Sequence, residues 1–180
     1  MSNITDPFAV LLDIAERSLK SAKGLPAQVD AVPLWSGIGF TLAGRRFVAP
    51  MGEVSEILTQ PPSTRLPGVM QWVRGVANVR GRLLPLIDLE AFFGGSLTGG
   101  RKNHRVLSLE MGDLYTGLIV NEVHGMQHFA IDTFDAAIPE DLPELAPFLA
   151  GSYRQGDEHW LVFSTFKLAQ NAGFMNVAAS

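Results

Sequence analysis

Residues 75–89 read Gly75-Val-Ala-Asn-Val-Arg80-Gly-Arg-Leu-Leu-Pro85-Leu-Ile-Asp88-Leu, two apolar runs that meet at a charged turn. The alternating pattern predicts two paired strands, and Gly81 supplies a turn geometry that a side chain would strain. Asn78 can hydrogen-bond the local backbone, and Asp88 can cap a helix after the second strand. This segment therefore predicts a β-hairpin that leads into a short helix.

The two-residue apolar period continues along the chain from Trp35 onward. Short helices are predicted from Asp88 to Gly94 and from Ser164 to near Gly173. Many short strands separated by glycine turns predict a barrel or sandwich, and the strand count allows two barrels of about five strands. The strand candidates are 38–42, 47–49, 53–58, 76–80, 82–87, 105–111, 114–120, 125–129, 151–154 and 159–163.

The N-terminal segment has a helical period instead. Asp6 can cap a helix that begins at Pro7, and Gly24 followed by Pro26 ends it. We expect a helical extension and linker at 1–33, a main domain at 34–175 and a tail at 176–180. Two hypotheses stand for the helix: its apolar stripe docks on the main domain, or it binds a partner.

Composition limits the class of protein. The chain has 180 residues, 47% of them apolar and 18% charged, which is typical of an ordered globular protein. The absence of cysteine excludes disulfides and thiolate metal ligands. No apolar stretch approaches the ~20 residues that span a bilayer, and no signal peptide pattern opens the chain. We expect a cytoplasmic protein that does not insert into a membrane.

The charges are unevenly distributed around the net value of −4. Seven basic residues and two acids lie between Arg65 and Arg105, whereas ten acids and one base lie between Glu110 and Glu158. Apolar runs interrupt the basic stretch, which argues against nucleic-acid binding. Oppositely charged halves favour oriented docking of protein partners.

Motifs for catalysis are weak. The glycines of Gly94–Arg101 lack the Gly-Lys-Ser/Thr ending of a phosphate loop, and Ser36 lacks the preceding glycine of a nucleophile elbow. His124 and His128 have a helical metal-ligand spacing, but the pattern around them is that of a strand and no third ligand is evident. No acid pair has a spacing that demands acid/base catalysis. The residues predict no enzyme, no cofactor and no metal.

Arg80 admits two interpretations. It is a solvated turn charge that could pair with Glu56, or it is a rigidly held guanidinium offered to a partner, since arginine is enriched at interface hot spots.

Several motifs together resemble the CheW-domain proteins, the coupling adapters of chemotaxis. The resemblance runs from about Ser36 to Leu168, and the 75–89 segment is its most specific part. Within that family the chain is most similar to adapters of type IV pilus twitching motility. The remaining motifs are 40–47 (FTLAGRRF), 54–57 (VSEI), 66–67 (LP), 117–123 (GLIVNEV) and 160–163 (WLVF).

The resemblance implies a mostly β fold of two packed five-stranded SH3-like β-barrels and no catalysis. It also implies two partners, the regulatory domain of a CheA-type histidine kinase and the cytoplasmic tip of a chemoreceptor, in membrane-associated receptor arrays. By position, Glu56 and Arg80 match residues tied to receptor binding. Val54, Gly75 and Gly81 match positions associated with kinase binding.

Two residues depart from the family pattern. Asn121 stands where an aspartate is common, and Met70 stands where a proline is often found. The alternatives to an adapter are a stand-alone β-barrel that binds a small molecule in an apolar pocket, and a hydrolase built on scattered carboxylates.

Overall fold

The structure, a computed structural model, describes residues 32–178. The described residues from Pro33 onward belong to one compact unit. The predicted N-terminal helix, most of its linker and the last two residues of the tail lie outside the described residues, so these boundaries stay predictions.

The described part of the chain is mostly β, as predicted. Its eleven strands form two sheets, with the order β8-β1-β2-β11-β10-β9 in the first and β3-β6-β7-β5-β4 in the second. The strands are β1 Leu34–Leu42, β2 Arg45–Pro50, β3 Glu56–Thr59, β4 Val73–Val79, β5 Arg82–Asp88, β6 Arg105–Met111, β7 Leu114–Val120, β8 Glu122–Ala130, β9 Phe134–Asp135, β10 Leu149–Gln155 and β11 Glu158–Phe163.

The two halves of the chain are intertwined. β1 and β2 lie in the first sheet and β3–β5 in the second, whereas β6 and β7 lie in the second and β8–β11 in the first. Each sheet also contains one parallel pair of strands, one from each half of the chain: β2 pairs with β11 in the first sheet, and β5 pairs with β7 in the second. Neither half can therefore separate without unpairing strands in both sheets.

Each sheet curls until its ends meet, which makes it a barrel. In the first, the rings of Phe129 on β8 and Tyr153 on β10 stack at 4.9 Å, although β1, β2 and β11 separate these strands in the sheet order. In the second, Thr64 beyond β3 bridges to Val76 on β4, the strand at the opposite end of the sheet. We call these two sheets the first and second barrel.

Three apolar clusters follow from this arrangement. Strands such as β11 bury both faces, with Trp160 inside the first barrel and Phe163 in a core shared between the barrels. Ile119 on β7 likewise points into the second barrel while Leu118 points into the shared core. The large shared core makes the pair of barrels one packed body.

Short helices complete the fold: α1 Leu89–Phe92, α2 Thr165–Ala169 and α3 Ala172–Met175. Asp88 caps α1 as predicted, because its side chain accepts a hydrogen bond from Ala91 N. The helix predicted from Ser164 to near Gly173 is instead two helices. Asn171 caps the second one by accepting from Phe174 N, so the chain restarts a helix there.

Two further predictions need correction. The strand predicted at 53–58 begins only at Glu56, because Met51–Glu53 form a 3-10 turn. The first barrel has a sixth strand, since the two-residue β9 pairs with β10 at Ser152 and Tyr153. Such a short strand has no apolar alternation by which the sequence could reveal it.

Candidate protein-binding surface

The β4–β5 hairpin ends in a two-residue turn. Val79 pairs with Arg82, and the intervening Arg80 and Gly81 have φ values of +52° and +81°. Positive φ at both central positions is the geometry of a type I′ turn, which matches the twist of the flanking strands. Asn78 reinforces it, because its Oδ1 accepts from Gly81 N at 2.9 Å. Arg80 is thus presented on a rigid turn.

Arg80 pairs with Glu56. Its Nη2 donates to Glu56 Oε1 at 2.5 Å, while the two side chains remain 77% and 30% exposed. The pair closes the second barrel, since β3 and β4 lie at opposite ends of its sheet. The guanidinium therefore keeps most of its donors in solvent, so the pairing with Glu56 and a contact with a partner are compatible.

Gly75 has a structural cause that is independent of any partner. Its φ is +132°, and a Cβ there would lie 2.2 Å from the carbonyl oxygen of Thr64. The strand carries a bulge at this position, and Thr64 and Val76 exchange two backbone hydrogen bonds of 2.9 Å beside it. At Gly81, in contrast, a Cβ would have no heavy atom within 4 Å among residues 32–178 apart from Gly81 and its two chain neighbours, so only the backbone conformation favours glycine.

Val54 lies between the 3-10 turn and β3, half-buried against the shared core. The preceding Glu53 anchors this segment, because its Oε2 accepts from Thr165 N and Thr165 Oγ1, both at 2.7 Å. That anchor could not be predicted from the sequence, since Glu53 and Thr165 are 112 residues apart.

The five predicted site residues do not form one cluster. Glu56 and Arg80 touch, and Gly81 adjoins Arg80 in the turn. Gly75 lies near the other end of β4, about 13 Å from Val79 at the strand rise of about 3.3 Å per residue. The second barrel therefore presents an ion pair at the hairpin turn and a glycine bulge farther along the same strand.

Arg82 is a further member of this surface that the sequence did not reveal. Its guanidinium lies 3.9 Å from the ring centroid of Tyr115, and its Nη1 donates to Glu110 Oε1 at 2.9 Å. The cation–π contact and the half-exposed ion pair hold the side chain against the sheet. The turn end of the hairpin therefore carries two ordered arginines with different partners.

The departure at Met70 has a structural explanation. Met70 N donates to Val177 O at 2.9 Å, which ties the C-terminal segment to the loop before β4. Proline has no N–H and could not make this bond.

The two histidines with a metal-ligand spacing, His124 and His128, lie on strand β8. His124 Nε2 is 2.8 Å from Thr41 Oγ1, and His128 Nδ1 is 2.7 Å from Ser36 Oγ, so each contacts a hydroxyl of β1. Residues 32–178 contain no group of three or more side chains arranged to hold a metal ion. Within the same residues, no helix is both long and apolar enough to cross a membrane.

Tyr153, an ionisable residue of the first barrel, has a shifted pKa. Burial raises the pKa of the Tyr153 phenol above its usual value, because the charged phenolate is poorly solvated there. Its ring stacks on Trp35 and Phe129, each at 4.9 Å between centroids.

Known proteins resemble this chain over most of its length. A family model described as CheW-like domain matches residues 36–173. Protein PilI of Pseudomonas aeruginosa is 54% identical over 178 residues, which cover 99% of each chain. The chemotaxis protein CheW of Helicobacter pylori is 27% identical over 147 residues, which cover 82% of this chain and 88% of the relative.

A solved structure shares the fold. The crystal structure of the scaffolding protein TtCheW from Thermoanaerobacter tengcongensis matches with a TM-score of 0.64 at 23% identity. The match covers 73% of this chain and 89% of that one.

Proposed function

This chain belongs to the CheW-like domain family, and on that basis we propose that it is a non-enzymatic chemosensory adapter. It couples the cytoplasmic tip of a chemoreceptor to the regulatory domain of a CheA-type histidine kinase, in the cytoplasm at membrane-associated receptor arrays. The observation that carries the proposal is the 54% identity to PilI over 99% of both chains. The same observation supports a role in type IV pilus twitching motility.

The geometry supports a binding role. The type I′ turn, the Glu56–Arg80 pair and the exposed guanidinium offer charged hydrogen-bonding groups on a rigid body. Arginine held in this way binds carboxylates through a fork of parallel donors and loses little entropy on binding. We assign Glu56 and Arg80 to the receptor surface, and Val54, Gly75 and Gly81 to the kinase surface.

Calorimetric titration tests the proposal. The full chain is titrated separately with the regulatory domain of the kinase from the same cell and with a receptor tip fragment. We expect saturable one-to-one binding to each. Arg80→Glu should weaken receptor binding by about tenfold, because it removes the guanidinium that would contact the receptor and places a second carboxylate beside Glu56.

Arg154→Glu provides a matched control. Arg154 is an exposed arginine on β10, the first-barrel strand whose glycine bulge at Gly151 resembles that of β4 at Gly75. The Arg154→Glu variant should bind the kinase domain and the receptor fragment as tightly as the wild type does. If folded wild-type protein bound neither partner at high micromolar concentration, the adapter proposal would be wrong.

The alternative of a small-molecule module has less support. An apolar pocket beside β4 and β5, lined by Val76, Pro85 and Phe174 among others, has a volume of about 200 Å³. Pockets that hold drug-sized ligands run from about 300 to 1,000 Å³. The clefts of the described residues that reach this range, of about 450 to 590 Å³, are open to solvent. A thermal-shift screen that found a stabilising metabolite would favour this alternative.

A further inference from the structure

Glu90 is a buried carboxylate with two neutral donors. It lies in α1 and is 5% exposed. Its Oε1 accepts from Ala43 N at 2.8 Å, and its Oε2 accepts from Asn121 Nδ2 at 2.7 Å. A buried carboxylate needs such donors, because loss of one leaves a charge without solvation.

The donors belong to different parts of the fold. Ala43 begins the turn between β1 and β2 in the first barrel, whereas α1 follows β5 of the second. Asn121 is the single residue between β7 in the second barrel and β8 in the first. One carboxylate therefore joins the two barrels where the chain crosses between them.

The hydrogen bonds continue beyond Asn121. Asn121 Oδ1 accepts from Thr98 N at 2.9 Å, and His104 Nε2 lies 3.0 Å from Thr98 O. His104 Nδ1 lies 3.2 Å from Oε1 of Gln60, the residue that follows β3. A continuous line of side-chain and backbone contacts thus runs from the turn of the first barrel to the residue that follows the strand carrying Glu56. We call this line the seam.

The seam borders an open cleft of about 590 Å³, whose lining includes Thr41 and Val123 from the first barrel and Thr98 from the second. Asn121 lies in the same lining. The seam therefore lies at the edge of a cleft that both barrels line.

We propose that Glu90 and Asn121 are positioning residues that fix the orientation of one barrel relative to the other. This inference rests on the proposed adapter function, in which two partners must be held in a set geometry on one body. The chemistry requires one carboxylate facing one amide. Carboxylates at both positions 90 and 121 would repel each other. Amides at both positions would deprive Ala43 N and the amide of residue 121 of their charged acceptor.

A reciprocal exchange tests the inference. The variants are Glu90→Gln, Asn121→Asp and the double exchange, which restores one carboxylate opposite one amide. Asp132→Asn is the control, because it neutralises an exposed carboxylate that lies outside both the seam and the hairpin surface. Because the chain has no cysteine, spin labels can be placed at Asp113→Cys and Asp157→Cys, exposed turn residues of the second and first barrel.

We expect a narrow inter-label distance distribution in the wild type, the control and the double exchange, and a broader or shifted one in both single variants. Each partner alone should bind the single variants within about twofold of wild type. Formation of the ternary complex of adapter, kinase domain and receptor fragment should fall about tenfold and recover in the double exchange.

Unchanged distances in the single variants would overturn the inference, and so would a double exchange as broad as the singles. If a single variant failed to fold, Asn121→Ala removes the amide without adding charge and should still broaden the distribution; an unchanged distribution would again overturn it. Failure of wild type to bind either partner would contradict the adapter function alone, because the distances are measured without partners.

Discussion

Arg74 and Asp88 form an ion pair across the β4–β5 hairpin in which the carboxylate is completely buried and the arginine side chain is 41% exposed. Arg74 Nε donates to Asp88 Oδ2 at 2.9 Å, while Oδ1 accepts from Ala91 N at 2.9 Å. The carboxylate that caps α1 is thus held by a cation from the neighbouring strand. Its charge is tolerated in the interior only because of these donors.

Arg74→Met should therefore destabilise the protein strongly. The substitution keeps an apolar stem but leaves the Asp88 carboxylate buried without its cation. We expect the free energy of unfolding, measured by urea titration, to fall by about 3 kcal/mol.

Arg45→Met is the matched control, because Arg45 pairs with Asp141 where both side chains are about half exposed. Exposed pairs of this kind contribute roughly 0–1 kcal/mol to stability, so the unfolding free energy of Arg45→Met should fall only slightly. Equal losses in the two variants would contradict the assignment of a buried, dependent charge to Asp88.

Gly75 and Gly81 should respond differently to substitution by alanine. A methyl group at Gly75 collides with the backbone of Thr64, so Gly75→Ala should cost about 3 kcal/mol in unfolding free energy. The methyl group of Gly81→Ala would enter open space, so the variant should lose only the cost of holding alanine at positive φ, about 1 kcal/mol of unfolding free energy.

Gly81→Asn separates conformation from bulk, since asparagine adopts positive φ more readily than alanine. It should be more stable than Gly81→Ala. The opposite order in urea titrations would show that something other than the turn conformation requires glycine at 81.

The sequence predicts the local parts of this hairpin well. The turn at Arg80-Gly81, the Asn78 hydrogen bond and the Asp88 cap depend on residues at most three positions apart, and all are present in the structure. The glycine at 75 is a partial case. Its residue type suggests a special backbone, but its close neighbour Thr64 lies in a different loop.

Contacts between distant residues could not be predicted in the same way. The Arg80–Glu56 pair spans 24 positions and could be stated only as one of two alternatives. The contacts of Glu90 with Asn121 and Ala43 span 31 and 47 positions. They arise because the chain crosses twice between barrels, and strand periodicity carries no information about which strands pair.

Tyr153 should ionise at higher pH in the native state than in the unfolded chain. The chain has two tyrosines, so Tyr115→Phe leaves Tyr153 as the sole source of tyrosinate absorbance. Because burial raises its pKa, the stabilisation from neutral Tyr153 is fully present below the unfolded pKa and is lost as pH rises through the folded pKa.

Unfolding free energy should therefore decrease at alkaline pH, and Tyr153→Phe should remove that decrease. Near neutral pH the phenol is protonated in both the native and the unfolded chain, so its ionisation should not change the unfolding free energy there. Coincident titration of Tyr153 in the native protein and in urea would contradict the prediction.

Arg80 combines a strained backbone with an exposed functional side chain, and substitution should separate the two. Its φ of +52° is costly for most residues, whereas Asn-Gly is the preferred pair of a type I′ turn. Arg80→Asn removes an exposed ion pair that contributes little. We expect the unfolding free energy to rise by about 0.5 kcal/mol while receptor binding weakens.

Ala43→Asn provides the stability control, because Ala43 and Gly44 form the corresponding turn of β1–β2 with φ values of +50° and +72°. It should gain a similar increment in urea unfolding. A stabilised Arg80→Asn that bound the receptor fragment as tightly as wild type would leave the strain at Arg80 without a functional reason. A destabilised one would mean that the Glu56 pair contributes more than an exposed pair should.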